Sequence, residues 1–425
     1  MQSKSPLGYR EISSCRICGN DDLEEVLDLG NQALTGVFPE TPTESIITGP
    51  LRLVKCVETN NSGFCGLVQL KHSYDPKELY GNNYGYRSGL NPSMVRHLHQ
   101  KVDQIVEKYP LNPEDVILDI GSNDGTLLGF YPLNNLTLIG IDPTGEKFQE
   151  YYPEHITLIP DFFSASRVLE IVEGRKPKVI TSIAMFYDLE DPLAFMREIS
   201  EILADDGVWI LEQSYMPRMI DETEYDTVCH EHLEYYGLRQ IKWMADRVGL
   251  KIAEVKFNDI NGGSFSVTLS KNGSRHEKAD SVIQKTLEYE TVKGLGSLAP
   301  YHKFSNQVLS HKKELCELLC KIRDAGENII GYGASTKGNV ILQYCGITAG
   351  LIPYIAEVNE YKFGRYTPGT SIPIISENEA HSLKPDYFLV LPWHFRNFIV
   401  EKERKFLELG GRLIFPLPSI EIVSG

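Results

Sequence analysis

Short apolar runs separated by turns recur through the middle of the chain. They lie, in order, at 116–120, 136–141, 156–159, 179–184 and 208–213. Runs of this length that are bounded by turn residues are typical of strands buried on both faces of a parallel sheet. The glycine turn after the first run predicts the start of a helix. The pattern therefore predicts a parallel α/β domain in the middle of the chain.

The same pattern returns near the C-terminus. A strand, turn and helix start are predicted over 328–340, an apolar run at 352–357 ends in an acid, and two more runs lie at 387–391 and 412–415. Between the two patterns, the charged stretch from 271 to about 323 looks helical. The chain is therefore predicted to be α/β with two Rossmann-like parallel sheets. The similarity of the two sequence patterns indicates an internal duplication.

The composition is that of a large globular protein. At 425 residues, with 42% hydrophobic and 24% charged positions, the chain exceeds the usual domain of about 150 residues. No apolar run approaches the roughly 18 residues of a membrane span, and the N-terminus lacks a signal-peptide core. The net charge of -16 argues against nucleic acid as a partner. We therefore expect a cytoplasmic protein that binds neither membranes nor nucleic acid.

Four cysteines near the N-terminus have the arrangement of a metal site. Cys15 and Cys18 form a Cys-x-x-Cys knuckle, and Cys56 and Cys65 follow farther along the chain. Two such pairs are typical of tetrahedral zinc, in which four thiolates stabilise a segment too small to fold on its own core. We expect a closed structural zinc site, the alternative being four unligated thiols.

The glycine turn after the first central strand has features of a nucleotide-cofactor site. Its pattern, Gly121-x-x-x-Gly125, is neither the dinucleotide motif nor a phosphate loop. Asp142 ends the second strand, where a carboxylate can bind ribose hydroxyls, and Asp161 with its neighbouring rings can bind adenine. Together these features resemble the S-adenosylmethionine site of class I methyltransferases; the alternative is that Asp119 and Asp142 only cap turns. The predicted donor residues are Asp119, Gly121, Ser122, Asn123, Gly125, Asp142, Asp161, Phe162, Phe163 and Met185.

A cluster of titratable residues follows the fifth central strand. Cys229 precedes His230-Glu231-His232, which places groups that titrate or donate near neutral pH in one short loop or helix start. The zinc-protease motif needs His-Glu-x-x-His, which is absent from this stretch. Asp188 follows the fourth strand, where an open α/β sheet binds its ligand. These residues are candidates for acid-base chemistry, the alternative being polar residues satisfied on a surface loop.

The turn of the C-terminal domain offers a second ligand site. Because the following strand ends in Glu357, NAD is an alternative ligand, but the third glycine is displaced to Gly338 and Lys337 stands where tight packing is needed. Lys337 with the hydroxyls of Ser335 and Thr336 at a helix N-terminus fits a phosphate-bearing substrate better.

Across nearly its whole length the chain resembles the three-domain sugar C-methyltransferases that act on nucleotide-linked 4-keto-6-deoxyhexoses. The matching segments are the two cysteine pairs, the donor turn at 119–125, His230-Glu231-His232, and the stretches 261–264, 331–339, 368–370, 391–394 and 415–418. The resemblance implies a zinc-binding domain at 1–75, a methyltransferase domain at 76–272, a helical linker at 273–322 and a Rossmann-like C-terminal domain at 323–425.

The resemblance also implies catalytic roles. In this chemistry a base removes a hydrogen next to a sugar ketone, and the resulting enolate carbon attacks the methyl group of the donor. By position, His232 is the expected base, Glu231 its orienting partner, and a tyrosine of the pair Tyr84 and Tyr86 the aid to enolate binding.

Two positions depart from the family pattern. Cys229 stands where the family usually has tyrosine, and Asp188 where it often has histidine. A thiol is a weaker donor than a phenol, and a carboxylate repels an enolate unless it is protonated. Asp188 could instead hold a sugar hydroxyl.

We therefore predict a C-methyltransferase that uses S-adenosylmethionine and structural zinc and methylates the carbon next to the ketone of a nucleotide-linked keto-deoxysugar. The predicted catalytic residues are Tyr86, Asp188, Cys229, His230, Glu231 and His232, and the predicted substrate contacts are Tyr84, Tyr86, Ser264, Ser335 and Lys337. One alternative is an O- or N-methyltransferase of a related sugar or small metabolite. Another is a non-catalytic nucleotide-binding protein.

Overall fold

A computed structural model describes residues 8–58, 63–80, 85–133 and 135–425. In these ranges the strands form four sheets. Among the described residues we find no helix with the length and apolar character that a membrane span requires.

The N-terminal part consists of short antiparallel strands, which the sequence pattern did not predict. Its elements are β1 (Tyr9–Glu11), β2 (Leu23–Ala33), β3 (Thr48–Cys56), β4 (Val68–Leu70) and β5 (His72–Tyr74), followed by α1 (Pro76–Leu79) and α2 (Pro92–Lys108). Strands β2, β3 and β4 pair in this order, and β1 pairs with β5. Helix α2 leads into the central part of the chain.

The central part contains the predicted strands. The five predicted strands are β6 (Val116–Ile120), β7 (Thr137–Ile141), β8 (Ile156–Ile159), β9 (Val179–Ile183) and β10 (Val208–Ser214). This part also contains the strands β11 (Glu234–Tyr235), β12 (Leu250–Asn258) and β13 (Ser264–Lys271) and the helices α3 (Gly145–Phe148), α4 (Ala165–Ile171), α5 (Pro192–Ile202), α6 (Met216–Asp221), α7 (Leu238–Arg247) and α8 (Asp280–Val292). The five predicted strands form one seven-stranded sheet with β12 and β13, in the order β12-β13-β10-β9-β6-β7-β8. The chain crosses from β8 to β9 beside β6, so the carboxyl ends of β6 and β9 form a switch point where ligands bind.

One local prediction in this part is wrong. The residues after the donor turn do not begin an α-helix; they form a short 3-10 turn, Leu128–Phe130. Gly129 is a poor helix former, and Pro132 disfavours a helical conformation at the residue before it.

The C-terminal part contains a second Rossmann-like sheet, as predicted. Its elements are α9 (Ala299–Asp324), β14 (Ile329–Tyr332), α10 (Thr336–Cys345), β15 (Ile355–Glu357), β16 (Ile374–Ser376), α11 (Glu377–Ser382), β17 (Tyr387–Val390), α12 (Arg396–Lys402), α13 (Arg404–Glu408), β18 (Arg412–Phe415) and β19 (Glu421–Ser424). The sheet order is β16-β15-β14-β17-β18-β19. Its first five strands are parallel and β19 is antiparallel.

Residues from all three parts pack against one another. The domain boundaries at 75, 272 and 322 stay predictions. Tyr301 and Val308 of α9 belong to the same apolar core as Leu53 of β3 and Ile330 of β14. Strand β11 of the central part pairs with β4, which makes it the fourth strand of the N-terminal sheet. The region predicted as a helical linker therefore includes part of helix α9, which packs in one apolar core with strands of the N-terminal and C-terminal sheets.

Candidate active site

The four predicted metal ligands form one cluster. The sulfur atoms of Cys15, Cys18, Cys56 and Cys65 lie within 4.8 Å of one another, with Cys15 and Cys65 at 3.4 Å and Cys18 and Cys56 at 3.6 Å. A tetrahedron with zinc-sulfur bonds of about 2.3 Å has edges of about 3.8 Å. The cluster therefore has the size that tetrathiolate zinc requires.

The surroundings of the cluster suit thiolate ligands. Lys55 is wholly buried next to Cys56, and its ammonium donates to the carbonyl of Gly66 at 2.9 Å. The Asn20 amide donates to the sulfur of Cys56 at 3.3 Å. Positive charge and donors beside four thiolates offset the negative charge that such a site carries. The residues therefore fit a structural zinc ion.

Replacing Cys56 with serine is expected to remove most of the bound zinc and to destabilise the N-terminal part strongly, because a structural zinc site contributes about 10 kcal/mol or more. Zinc content by elemental mass spectrometry and thermal unfolding test this. Cys320→Ser is the matched control, since this half-buried cysteine on α9 lies outside the cluster. Wild-type zinc content in the Cys56 variant would contradict the assignment.

A cavity opens at the carboxyl ends of β6, β7 and β9. All the predicted donor residues except Gly125 line it. Asp119 is buried, and its carboxylate accepts a hydrogen bond from the Thr181 hydroxyl at 2.5 Å; burial raises its pKa to about 7. We refer to this space as the donor cavity.

Gly125 belongs to the turn and does not contact the cavity. Its φ is +74°, and a β-carbon there would lie 3.0 Å from the ring of Tyr152. The phenol of Tyr152 in turn lies 2.8 Å from the Ser122 hydroxyl and donates to the Asn123 carbonyl at 2.9 Å. Gly125 therefore lets the turn pack on Tyr152, which supports two residues that line the cavity.

The predicted ribose and adenine ligands already contact other protein groups. Asp142 accepts hydrogen bonds from the backbone of Asn123 at 2.8 Å and of Thr144 at 2.7 Å. Asp161 forms an ion pair with Arg167 at 3.1 Å. Each carboxylate can accept about four hydrogen bonds, so both can bind a ligand as well as their present donors. The turn-capping alternative therefore describes part of what Asp142 does.

The structure adds cavity walls that sequence reasoning missed. Met94 and Leu98 of α2 and Ser88 line the cavity together with Tyr86, which the sequence had indicated. The backbone amide of Ser88 donates to the Asn123 side chain at 2.9 Å, which holds this segment on the donor turn. Tyr86 is 44% exposed. The aromatic stretch at 80–89 was the available signal, although Tyr84 itself lies outside the described residues.

Replacing Gly121 with alanine is expected to weaken S-adenosylmethionine binding about tenfold or more, because a left-handed backbone costs a non-glycine residue about 1–2 kcal/mol. Its φ is +76°, and the added carbon would lie 2.9 Å from Met185. Titration calorimetry with the donor checks this. Gly174→Ala is the matched control, because Gly174 has a φ of +79° with nothing within 4 Å. Unchanged affinity in the Gly121 variant would contradict the prediction.

The segment 228–233, which we call the catalytic loop, contains His232, the residue predicted to be the base. Nδ1 of His232 donates to the carbonyl of Thr227 at 2.8 Å. A carbonyl only accepts, so the proton is on Nδ1 and the lone pair on Nε2. The ring packs against Tyr187 with centroids 4.2 Å apart. Burial lowers the pKa of His232 to about 4, so the imidazole is neutral and can accept a proton.

Burial raises the pKa of two acidic groups near this histidine. Burial raises the pKa of Glu231, which accepts a hydrogen bond from the Thr35 hydroxyl at 3.4 Å. Burial also raises the pKa of Asp188 well above its usual range. Asp188 lines the donor cavity, and its Oδ1 has no hydrogen-bond partner among the described residues. A protonated Asp188 can therefore donate to a ligand.

Two predicted catalytic residues have other surroundings. His230 is fully buried and packs edge-on against Tyr74 of β5 with centroids 4.6 Å apart, so its ring faces the N-terminal part and burial lowers its pKa to about 3. Cys229 is also fully buried, and burial raises the pKa of its thiol well above the usual value. The structure therefore separates His230 from the base, and it keeps Cys229 as a neutral thiol beside it.

The predicted substrate contacts from the C-terminal part meet the central part at one interface. The Lys337 ammonium donates to the carbonyl of Asn261 at 2.8 Å. Ser335 caps α10 by accepting from the amide of Gly338 at 3.0 Å, and Ser264 donates to the carbonyl of Ile260 at 2.9 Å. The two serines are therefore engaged by local backbone, whereas Lys337 bridges two parts of the chain.

Polar groups that sequence reasoning did not single out surround this bridge. The Trp393 indole donates to Asp226 at 2.7 Å. Oδ1 of Asp226 and Nδ1 of His394 are buried without a hydrogen-bond partner among the residues described. Buried polar atoms without partners mark places where a ligand or water binds. The segment 391–394 was the sequence signal for this cluster.

The acid that an NAD site would need is already used by the backbone. Glu357 accepts hydrogen bonds from the amides of Ala334 at 2.9 Å and of Val358 at 2.7 Å. A β-carbon at Gly333 would lie 2.6 Å from Pro392, so the turn itself is tightly covered. This arrangement favours structural packing over a dinucleotide.

Three sequence families match the chain in succession. Residues 15–80 match the family described as “Putative zinc binding domain”, residues 94–255 match “Methyltransferase domain”, and residues 259–418 match “C-methyltransferase C-terminal domain”. These matches agree in order and position with the cysteine cluster, the donor cavity and the second Rossmann-like sheet.

Individual relatives are also similar to the chain. The C-methyltransferase NovU of Streptomyces niveus is 29% identical over 418 residues, which cover 98% of each protein. Among solved structures, magnesium protoporphyrin IX methyltransferase (ChlM) of Synechocystis PCC 6803 with bound SAH is 14% identical with a TM-score of 0.32, over 43% of this chain and 88% of that chain. The plantazolicin methyltransferase BpumL with SAH is 13% identical with a TM-score of 0.32, over 41% and 82%.

Proposed function

We propose that this chain methylates the carbon next to the ketone of a nucleotide-linked keto-deoxysugar. Its segments match, in order, a zinc-binding domain, a methyltransferase domain and a C-methyltransferase C-terminal domain, which supports S-adenosylmethionine-dependent carbon methylation. The observation that carries this proposal is the neutral His232, whose Nε2 lone pair is fixed by the bond from Nδ1 to Thr227. A fixed neutral base suits proton removal from carbon.

In the proposed reaction His232 removes a proton and the bound methyl donor supplies the methyl group. Nε2 of His232 takes the proton from the carbon beside the ketone, and the negative charge moves to the ketone oxygen. Bound S-adenosylmethionine supplies an electrophilic methyl group: the new carbon-carbon bond forms as the carbon-sulfur bond breaks, and the sulfur leaves as a neutral thioether. The base then carries the proton that it returns to solvent.

Asp188 is suited to hold the enolate oxygen. An ionised carboxylate would repel this oxygen, but burial raises the pKa of Asp188 well above its usual range and so favours the neutral acid, and its side chain lines the donor cavity. A neutral acid in a buried site donates a strong hydrogen bond to a developing oxyanion. The departure of Asp188 from the family pattern therefore remains compatible with carbon methylation.

The interface between the central and C-terminal parts supports a polar, charged acceptor. Lys337 supplies a cation there, and the unpartnered atoms of Asp226 and His394 can bind hydroxyl groups. A sugar linked to a nucleotide carries both hydroxyls and phosphate, so it matches a site with donors, acceptors and a cation.

Mass spectrometry in deuterium oxide tests the proposal. The purified protein is incubated with methyl-deuterated S-adenosylmethionine and a panel of nucleotide-linked 4-keto-6-deoxysugars, and we expect the labelled methyl group on carbon together with deuterium wash-in beside the ketone of unreacted sugar. The corresponding 4-hydroxy sugars are the matched controls and should show neither. Transfer to a hydroxyl or amine without wash-in would overturn carbon methylation and support the O- or N-methyltransferase alternative.

A further inference from the structure

We propose that Arg16, which lies between the zinc ligands Cys15 and Cys18, is a positioning residue that holds both sides of the catalytic site. Its expected effect on turnover rests on the proposed function, whereas its effect on the order of the catalytic loop does not. A zinc-binding segment would then set the geometry of the base as well as its own fold.

The catalytic loop continues directly into the N-terminal sheet. Glu234 and Tyr235 of β11 pair with Gln69 and Val68 of β4. The amide of Leu70 also donates to the carbonyl of Leu233 at 2.8 Å. The position of the residues just after His232 is therefore set by β4, which begins shortly after the zinc ligand Cys65.

The guanidinium of Arg16 binds this same strand and the one after it. Its Nη1 donates to the carbonyl of Leu70 at 2.6 Å, and its Nη2 donates to the hydroxyl of Ser73 at 2.8 Å. The backbone amide of Arg16 donates to the side chain of Gln69 at 3.1 Å. A planar guanidinium presents several donors in fixed directions, so these bonds fix the orientation of the side chain.

The remaining edge of the guanidinium faces two acids that flank the site. Nε lies 3.7 Å from Glu234 and 3.8 Å from Glu190. Glu234 follows His232 by two positions, and Glu190 follows Asp188 by two positions. One cation therefore contacts the segment that carries the base and the segment that carries the proposed enolate donor.

The contact between Arg16 and Glu234 is buried, so its loss should affect the surrounding loop. The side chain of Arg16 is 3% exposed and that of Glu234 is 0% exposed, and neither carboxylate oxygen of Glu234 has a hydrogen-bond partner among the described residues. Removing one partner of a buried pair leaves an uncompensated polar group, which drives local rearrangement. Loss of Arg16 should therefore loosen the loop that leads to Glu234.

Hydrogen-deuterium exchange of the zinc-loaded protein without substrate tests the inference. In Arg16→Met we expect exchange in residues 228–236 to rise at least tenfold while zinc content and S-adenosylmethionine affinity stay at wild-type values. Arg52→Met is the matched control, because Arg52 lies on β3 of the same sheet, is 40% exposed and pairs with Asp28. Unchanged exchange in the Arg16 variant would overturn the inference, whatever acceptor the enzyme uses.

A second variant separates positioning from a general folding defect. In Arg16→Met with Glu234→Leu, the second change removes the two buried oxygens that have no hydrogen-bond partner among the described residues, so in either protonation state of the acid exchange in 228–236 should return most of the way to wild type. If turnover can be measured, kcat should fall at least tenfold in Arg16→Met with KM for the donor unchanged, and should recover in the double variant. Failure of the second change to restore exchange, or zinc loss that it does not reverse, would show that Arg16 only supports the fold of the zinc-binding segment.

Discussion

Replacing His232 with glutamine is expected to lower the rate of methyl transfer about 10³-fold, since a positioned general base contributes typically 10²–10⁴-fold. The carboxamide roughly preserves the side-chain volume and can still donate to the Thr227 carbonyl, but it offers no basic nitrogen. Affinity for S-adenosylmethionine should not change, because His232 does not line the donor cavity. Single-turnover transfer and donor titration measure the two effects.

The pH dependence gives a second test of the same base. Because burial lowers the pKa of His232 to about 4, the imidazole stays neutral as pH falls through 6.5, where an ordinary histidine gains its proton. The rate of deuterium wash-in should therefore be lost only as pH approaches about 4, provided that circular dichroism shows a folded protein. His276→Gln, which changes an exposed ring bound to the Asp206 carbonyl, is the control. An acid limb near pH 6.5, or a loss below tenfold in His232→Gln, would contradict the assignment.

Replacing Asp188 with alanine is expected to lower transfer about 10²–10³-fold, the usual effect of removing one oxyanion donor. Replacement with asparagine should cost far less, because burial raises the pKa of Asp188 and favours its neutral form, and a neutral amide is also a donor. Deuterium wash-in should fall in parallel with transfer, since both steps pass through the same enolate.

The comparison between the two replacements decides the protonation state. If asparagine is as damaging as alanine, Asp188 acts as a carboxylate and the donor role is wrong. Asp205→Ala and Asp205→Asn are matched controls, because Asp205 has a side chain that is 95% exposed and is paired with Lys271. Both should leave transfer at the wild-type rate.

The four zinc-ligand cysteines and the donor turn could be predicted almost entirely from local sequence. The strands of both Rossmann-like sheets are short apolar runs with turns at their ends, so their positions could be read from the chain. Because parallel strands place their carboxyl ends at one edge, Asp119 and Asp142 could be assigned to a common cavity before any coordinates. The different roles of Gly121 and Gly125 could not be predicted from sequence. Both have a similar positive φ, but Gly121 lines the cavity whereas Gly125 packs against Tyr152.

The choice between His230 and His232 needed the fold as well as the resemblance. The two residues have the same chemistry and stand two positions apart, so no local pattern distinguishes them. In the structure the loop turns so that one ring packs on Tyr74 and the other on Tyr187. Long-range contacts therefore decide the surroundings of each imidazole.

The sequence by itself determined the α/β sheets, the donor turn and the four sulfur ligands, because each is specified by residues close together in the chain. Only the tertiary structure decided that burial raises the pKa of Asp188, that β11 completes the N-terminal sheet, and that Arg16 contacts Glu190 and Glu234. Burial and ion pairing depend on groups separated by more than a hundred positions. The physical state of the site is therefore set by packing that local sequence does not encode.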